Sequence, residues 1–374
     1  MRHTSLKRIL HFSLYLIYLF CVIELSLRAC LSYTFVGQKL TGFTYNYDLF
    51  WRLDWIKRHS TNIEIYYKFD AYDVTKGWRA QSNLHNMQMF NNTVLNTNSR
   101  GLRGISEVPY EKTPGKQRIL IFGDSFTFGD DVSDQETYCY YLQQLLPNAE
   151  IVNMGVHGYG HDQMLIFLQE EGIKYNPDIV ILGFIAADMN RNTLHFRDYA
   201  KPRFIVDKNT LQLIGSPVPP PAYFLKWEWA NLKSWEILKI LAREYGSKLG
   251  FKNPNMRSGF ITSHILNRFI EVVDDIGAQP LFVHLATGNE MINPALASSG
   301  EEFFQRFCQQ NKKVHYCSTR KDFLEATRRG TKLMTEGGHW NSAGHWIVAN
   351  SIKPHLDKLM HIDRNSLSLR FSTN

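Results

Sequence analysis

Cysteine is scarce in this chain, five in 374 residues, and the five make no disulfide framework. Cys21 and Cys30 lie in an apolar N-terminal stretch and Cys139 on a helical pattern. Cys308 and Cys317 sit on a helix and a strand adjacent in sequence, so those two can pair in an oxidising compartment. A scaffold held by disulfides is therefore excluded. No Cys or carboxylate pattern of metal-ligand spacing accompanies the histidines, so no metal and no cofactor is expected. Long runs of one charge are also missing. The net charge of +7 comes from scattered Lys and Arg, with short doublets such as Lys7-Arg8, Lys312-Lys313 and Arg328-Arg329. With no nucleic-acid-binding motif, such doublets read as solvated surface, and no nucleic-acid partner follows. A hydrophobic content of 44% is that of a globular chain, long enough for one large α/β domain with extensions.

One apolar run is long. It extends from Ile9 to about Leu27 after Lys7-Arg8, and a bilayer-spanning helix needs roughly 17–25 such residues. Glu24 and Arg28, four apart at its far end, are placed to pair. Basic residues before the span favour an inside N-terminus and an exported body, periplasmic or extracellular. No Ala-x-Ala-like cleavage site is evident, although Arg28-Ala29-Cys30 keeps a cleaved signal peptide as the alternative. The reading is a retained anchor over residues 1–32. Residues 33–116 lack sustained periodicity and carry many aromatics, Phe43, Tyr45, Tyr47, Phe50, Trp51, Trp55, Tyr66 and Tyr67 among them. They read as a mostly extended arm with short strands. The sequon at Asn91 would matter only in a eukaryotic secretory pathway.

Strands then alternate with helical patterns. Ile119–Phe122, Ile151–Asn153, Asp178–Leu182, Pro280–Leu285 and a short Val314–Tyr316 are the apolar runs. Helical spacing covers roughly 134–146, 161–174, 258–276, 300–310 and 342–358. This alternation argues for a five-stranded parallel sheet covered on both faces, within residues 117–360. A long insertion, 193–258, contains SPVPPPAYF and an aromatic helical segment from Trp227 to Tyr245. A loop of that length is expected to form a substructure over the active-site edge. Trp227, Trp229 and Trp235 either present stacking faces for sugar rings or pack the insertion onto the domain. Residues 361–374 read as a frayed tail.

The chemistry concentrates in RILIFGDSFTFGDDV, Arg118 to Val132. Gly123 ends an apolar strand, and Ser125 follows at the carboxyl edge of the sheet, where open α/β folds bind ligands. By its position alone Ser125 either caps the next helix or acts as a nucleophile. GDSFTFG does not have the spacing of a phosphate-cradling glycine loop. It resembles block I of the GDSL/SGNH hydrolases, and VNMGVHGYG and HWNSAGH resemble that family's second and last blocks, in the same order. LNTNSRGLRG, Leu95 to Gly104, is similar to a segment upstream of the serine in membrane-anchored members, where it would fix the arm on the domain.

The resemblance implies a flavodoxin-like three-layer fold and a Ser-His mechanism, with Ser125 as nucleophile and His339 as its base. His345 is left with packing or capping. The family places an Asp shortly before this histidine. Here the string is MTEGGHW, and either Glu336 supplies that carboxylate or His339 works with a backbone carbonyl. The implied oxyanion donors are the N–H of Ser125, the N–H of Gly158 and an Asn side chain of block III. Ala187 stands at the Asn position, so Asn190, or else Asn192, is the expected stand-in. His157 and His161 flank Gly158 and either line the pocket or lie exposed. Two functions stay open. One is an anchored esterase or acyltransferase acting on O-acyl esters, of cell-surface polysaccharide or of a small substrate. The other is a catalytically impaired domain that binds polysaccharide or envelope proteins.

Overall fold

The computed structural model describes residues 2–32, 47–61, 68–89, 93–246, 257–295 and 297–371. The aromatics Phe43, Tyr45, Tyr66 and Tyr67, the sequon asparagine Asn91 and the last three residues of the tail lie outside these.

The centre is a parallel sheet of five strands: β1 (Gln117–Gly123), β2 (Ala149–Gly155), β3 (Ile179–Phe184), β4 (Gln279–His284) and β5 (His315–Ser318). Their order is β2-β1-β3-β4-β5, with every pairing parallel. The order reverses between β2 and β3, on either side of β1, and this makes a crevice above the carboxyl end of β1. Successive side chains of a strand point to opposite faces, and here both faces are covered. Ile119 and Ile121 face one core, while Leu120 and Phe122 face the other, all four fully buried.

The helices, in chain order, are α1 (Arg2–Leu31), α2 (Asp48–Thr61), α3 (Ser125–Phe128), α4 (Tyr138–Leu145), α5 (His161–Glu170), α6 (Asp188–Arg191), α7 (Pro221–Trp227), α8 (Lys233–Gly246), α9 (Ser258–Asp275), α10 (Ser299–Gln310), α11 (Arg320–Arg328) and α12 (Ser342–Phe371). Residues of α5, α9 and α10 fill the core on one face of the sheet. Those of α4, α11 and α12 fill the other. The three-layer expectation is therefore met, with strand ends shifted by one or two residues.

Several expectations need correction. The arm is not mostly extended, because its first described part is the helix α2, followed by short hairpins. Its aromatics are anchors: Trp78 is fully buried and its indole N–H donates to the carbonyl of His157 at 2.8 Å. Cys308 and Cys317 are both free thiols, and they lie in the cores on opposite faces of the sheet, so the layer between them prevents pairing. The helix α11 has no counterpart in the sequence reading. The insertion holds two hairpins, Phe196–Arg197 with Tyr199–Ala200 and Arg203–Asp207 with Thr210–Ile214, before α7 and α8.

Arg118 ties the arm to the base of the sheet. It is fully buried. Its guanidinium donates to the carbonyls of Tyr110 at 2.6 Å, Tyr175 at 3.0 Å and Glu111 at 2.9 Å, and to Glu150 at 2.9 Å. Removing it leaves the buried Tyr175 carbonyl without this donor and takes away the charged partner of the partly exposed Glu150. Arg118→Ala is expected to lower unfolding free energy by about 3 kcal/mol, whereas Glu150→Ala should cost about 1 kcal/mol. Urea unfolding followed by far-ultraviolet circular dichroism measures both.

Candidate active site

Ser125 opens the short helix α3 directly after β1. It does not cap that helix. Asp124 does, its carboxylate accepting from the N–H of Phe126 at 3.0 Å. The Ser125 hydroxyl faces His339 instead, 2.9 Å from Nε2. The serine is only 3% exposed, so a reacting group must come down to it from the crevice mouth.

His339 rides on a tight loop closed by the bridge between Met334 and Trp340. Trp340 is the loop's anchor, fully buried against Phe323, with its indole N–H on the carbonyl of Ala286 at 3.2 Å. Thr335 donates its N–H to the His339 carbonyl at 2.8 Å. The imidazole also packs on Phe126, ring centres 4.8 Å apart.

The carboxylate behind the imidazole is Asp131, not Glu336. Asp131 Oδ2 lies 3.3 Å from His339 Nδ1 and accepts the Thr335 hydroxyl at 2.6 Å. Glu336 is exposed. The physical reason is backbone geometry. Asp131 adopts φ +67°, a left-handed conformation that Asp tolerates, and this turns its side chain toward the histidine loop. A Cβ at Gly337 would collide with the Asp131 carboxylate, so the second residue before His339 must be a glycine to admit it. The backbone-carbonyl alternative also falls away, since a carboxylate occupies that position. A carboxylate accepts the Nδ1–H, which leaves Nε2 as acceptor for the Ser125 hydroxyl.

Asp130 adds a second negative charge. Its Oδ2 lies 3.9 Å from His339 Nε2 and 2.5 Å from His157 Nδ1. Burial opposes its ionisation, but His157, His339 and Arg103 outweigh that and hold it below the usual carboxylate range. Two carboxylates thus flank the imidazole, Asp131 on the Nδ1 side and Asp130 on the Nε2 side. Arg103, from the string LNTNSRGLRG, clamps this whole loop. Its guanidinium donates to the carbonyls of Phe128 at 3.0 Å, Gly129 at 2.7 Å and Val132 at 2.6 Å, and to Asp134 at 2.8 Å.

The remaining expected residues divide. Gly158 has φ +74°, and a Cβ there would collide with the Arg197 guanidinium. Neither the Ser125 N–H nor the Gly158 N–H donates a hydrogen bond among the described residues. Asn190 is exposed on α6, its N–H donating to the Ala187 carbonyl at 3.2 Å and its carbonyl accepting from the Thr193 hydroxyl at 2.9 Å. Asn192 is buried with its amide engaged by Thr262 at 2.8 Å and His161 at 3.2 Å. Arg191, between them in sequence, donates to Asp124 Oδ2 at 2.9 Å and to the Tyr159 carbonyl at 2.8 Å, beside Asp188.

His157 is half-buried between Asp130 and Asp198, and His161 is fully buried against Phe184, its imidazole pushed by burial down to about 3. His345 accepts the N–H of Tyr138 on Nδ1 at 3.2 Å, capping α4 as expected, and burial lowers it to about 3 as well. Among the described residues, one trio could hold a metal: His284, Glu290 and Glu301. Arg320 lies 3.1 Å from Glu301 Oε2 and already supplies a positive charge there.

Asp131, Asp130, Arg103 and Arg191 were not singled out in the sequence. The available signal was the Asp130-Asp131 pair, five and six residues after Ser125 and directly after GDSFTFG.

No protein-family model and no curated protein matches this chain. Solved structures do align with it. TesA aligns at 14% identity over 65% of this chain and 99% of its own, with a TM-score of 0.39. A member of the lipolytic protein G-D-S-L family from Veillonella parvula DSM 2008 aligns at 13% over 64% and 97%, TM-score 0.38. A catalytic mutant of Axe2, an acetylxylan esterase from Geobacillus stearothermophilus, aligns at 13% over 65% and 94%, TM-score 0.38.

Asp131→Asn should lower turnover of an ester substrate by about 10²- to 10⁴-fold with a folded protein, while Glu336→Gln should leave it within twofold. Steady-state kinetics on a p-nitrophenyl ester, with thermal melts as control, separates the two carboxylates.

Proposed function

We propose that this chain is a serine esterase or acyltransferase, anchored by α1 in a membrane with its α/β body on the exported side. The observation that carries the proposal is the Ser125 hydroxyl 2.9 Å from His339 Nε2, with Asp131 3.3 Å behind Nδ1. In this reading His339 removes the hydroxyl proton as Ser125 Oγ attacks the ester carbonyl carbon. The carbonyl oxygen becomes an oxyanion, held by the N–H groups of Ser125 and Gly158. His339 then returns its proton to the leaving alkoxide, and the acyl group stays on Ser125. Water or a sugar hydroxyl, deprotonated in turn by His339, takes the acyl group and frees the serine.

The absence of an Asn at position 187 deprives the oxyanion of one donor, worth about 3 kcal/mol or roughly a hundredfold in rate. The proposed substrates are O-acyl esters on cell-surface polysaccharide. Support for the anchor is the length and hydropathy of residues 7–31, with Lys7-Arg8 before them.

A fluorophosphonate probe should label Ser125 in the full-length protein, and Ser125→Ala and His339→Ala should each abolish labelling. Peptide mapping by mass spectrometry reads the site. Absence of label on folded wild-type protein would favour the polysaccharide-binding alternative and sink the enzymatic one.

A further inference from the structure

The insertion meets the end of α1. The Glu24 carboxylate accepts the N–H groups of Lys233 at 2.8 Å and Ser234 at 2.9 Å, the first residues of α8. Arg28, paired with Glu24 at 2.8 Å, donates to the carbonyls of Trp229 at 3.0 Å and Asn231 at 2.9 Å. Leu31, the last residue of α1, is buried with Tyr47, Leu49, Phe50 and Ile240. The end of the apolar helix and the α7–α8 segment are therefore one packed unit.

That unit presents two unlike surfaces. Trp235, Leu238 and Tyr245 form an exposed stripe at helical spacing along α8, and Trp229 beside them is 71% exposed. The tryptophans do not pack the insertion onto the domain, as one sequence expectation had it. Behind α8 lies a cavity of about 490 Å³, lined by the apolar Leu49, Phe224 and Ile240 and by charged groups. Its cations are Arg52, Arg203, Lys239 and Arg243, four against the two carboxylates Asp48 and Glu236. Glu236 is taken by Arg52 and Lys233, and Asp48 accepts the N–H groups of His195 and Phe196. Arg203 donates to His195 Nε2 at 2.7 Å, and burial with this cation holds His195 down at about 4. The imidazole therefore adds no charge at neutral pH, and the excess stays at two positive charges.

We propose that this cavity seats the headgroup of an anionic phospholipid from the leaflet that α1 enters, with the α7–α8 aromatics lying in the same interface. Trp and Tyr belong at headgroup depth, where an apolar ring face and a polar edge are both satisfied. A phosphate between Arg203 and Lys239 neutralises the cationic excess, while the glycerol and first methylenes lie against Ile240 and Phe224. The volume suits one headgroup rather than an extended glycan. The inference rests on the anchored reading of α1.

The test uses the full-length chain in neutral detergent, with phosphatidylglycerol or phosphatidylcholine added, and native mass spectrometry of the lipid retained. One phosphatidylglycerol should stay bound with a preference of about tenfold, and Lys239→Glu, on an exposed side chain, should remove that preference. Arg203→Gln should do the same while Arg203→Lys retains it. Equal retention of the two lipids, or a preference unchanged in Lys239→Glu, overturns the proposal. So does displacement of the lipid by inorganic phosphate alone, which would make this a site for a free anion. Brominated lipid in vesicles should quench the chain's tryptophan fluorescence less after Trp229→Phe and Trp235→Phe. Unchanged quenching, with a dimer in solution, would assign the stripe to a second copy and overturn the membrane seat. Alkaline carbonate extraction is the separate check on anchoring: release of the chain sinks the anchor and the seat together, and retention without lipid preference sinks the seat alone.

Discussion

A hydroxyl and an imidazole 214 residues apart in the chain lie within hydrogen-bond distance, and much of the fold serves that approach. The parallel sheet fixes one partner. β1 is an inner strand, buried on both faces and bonded on both edges, so the turn that follows it has little freedom. The other partner hangs from a loop with no sheet bonding of its own. Its position depends on Trp340 sunk in the second core and on two hydrogen bonds across the loop from Thr335 to His339. A rigid strand end and a pinned loop together reproduce, from distant segments, the short range over which proton transfer works.

The legible part of this molecule was the part built on periodicity. The strands β1 to β4 are apolar runs bounded by turns, and their ends were displaced by only a residue or two. The flanking helices show the three- and four-residue spacing of one buried face. Local pattern could not reveal elements whose identity comes from tertiary contacts. The helix α2 lies among aromatics that pack in several directions, so no single apolar stripe marks it. Charged α11 buries only Phe323 fully. Cys308 and Cys317 are near in sequence, yet a sheet separates them, which no spacing argument detects.

The site divides in the same way. Ser125 and His339, which the structure brings together, are carried by motif and position. The carboxylate was misplaced because its usual neighbourhood held an acidic residue, Glu336, of suitable type. What decides between Glu336 and Asp131 is a positive φ at one residue and a missing side chain at another, both features of the folded backbone. Arg103 shows the same limit. A guanidinium serving three carbonyls is invisible until the loop that offers them has folded. Its guanidinium also lies over the Phe128 ring at 5.1 Å, a second tie between the arm and the loop that carries Ser125.

Ser125 and Asp131 share one short segment, clamped by Arg103 from the arm, and the histidine is brought to them on a separate loop. Competence of the whole assembly therefore reduces to a single mechanical coordinate, the seating of residues 334–340. A small outward displacement of that loop would disengage both hydrogen bonds of the imidazole at once.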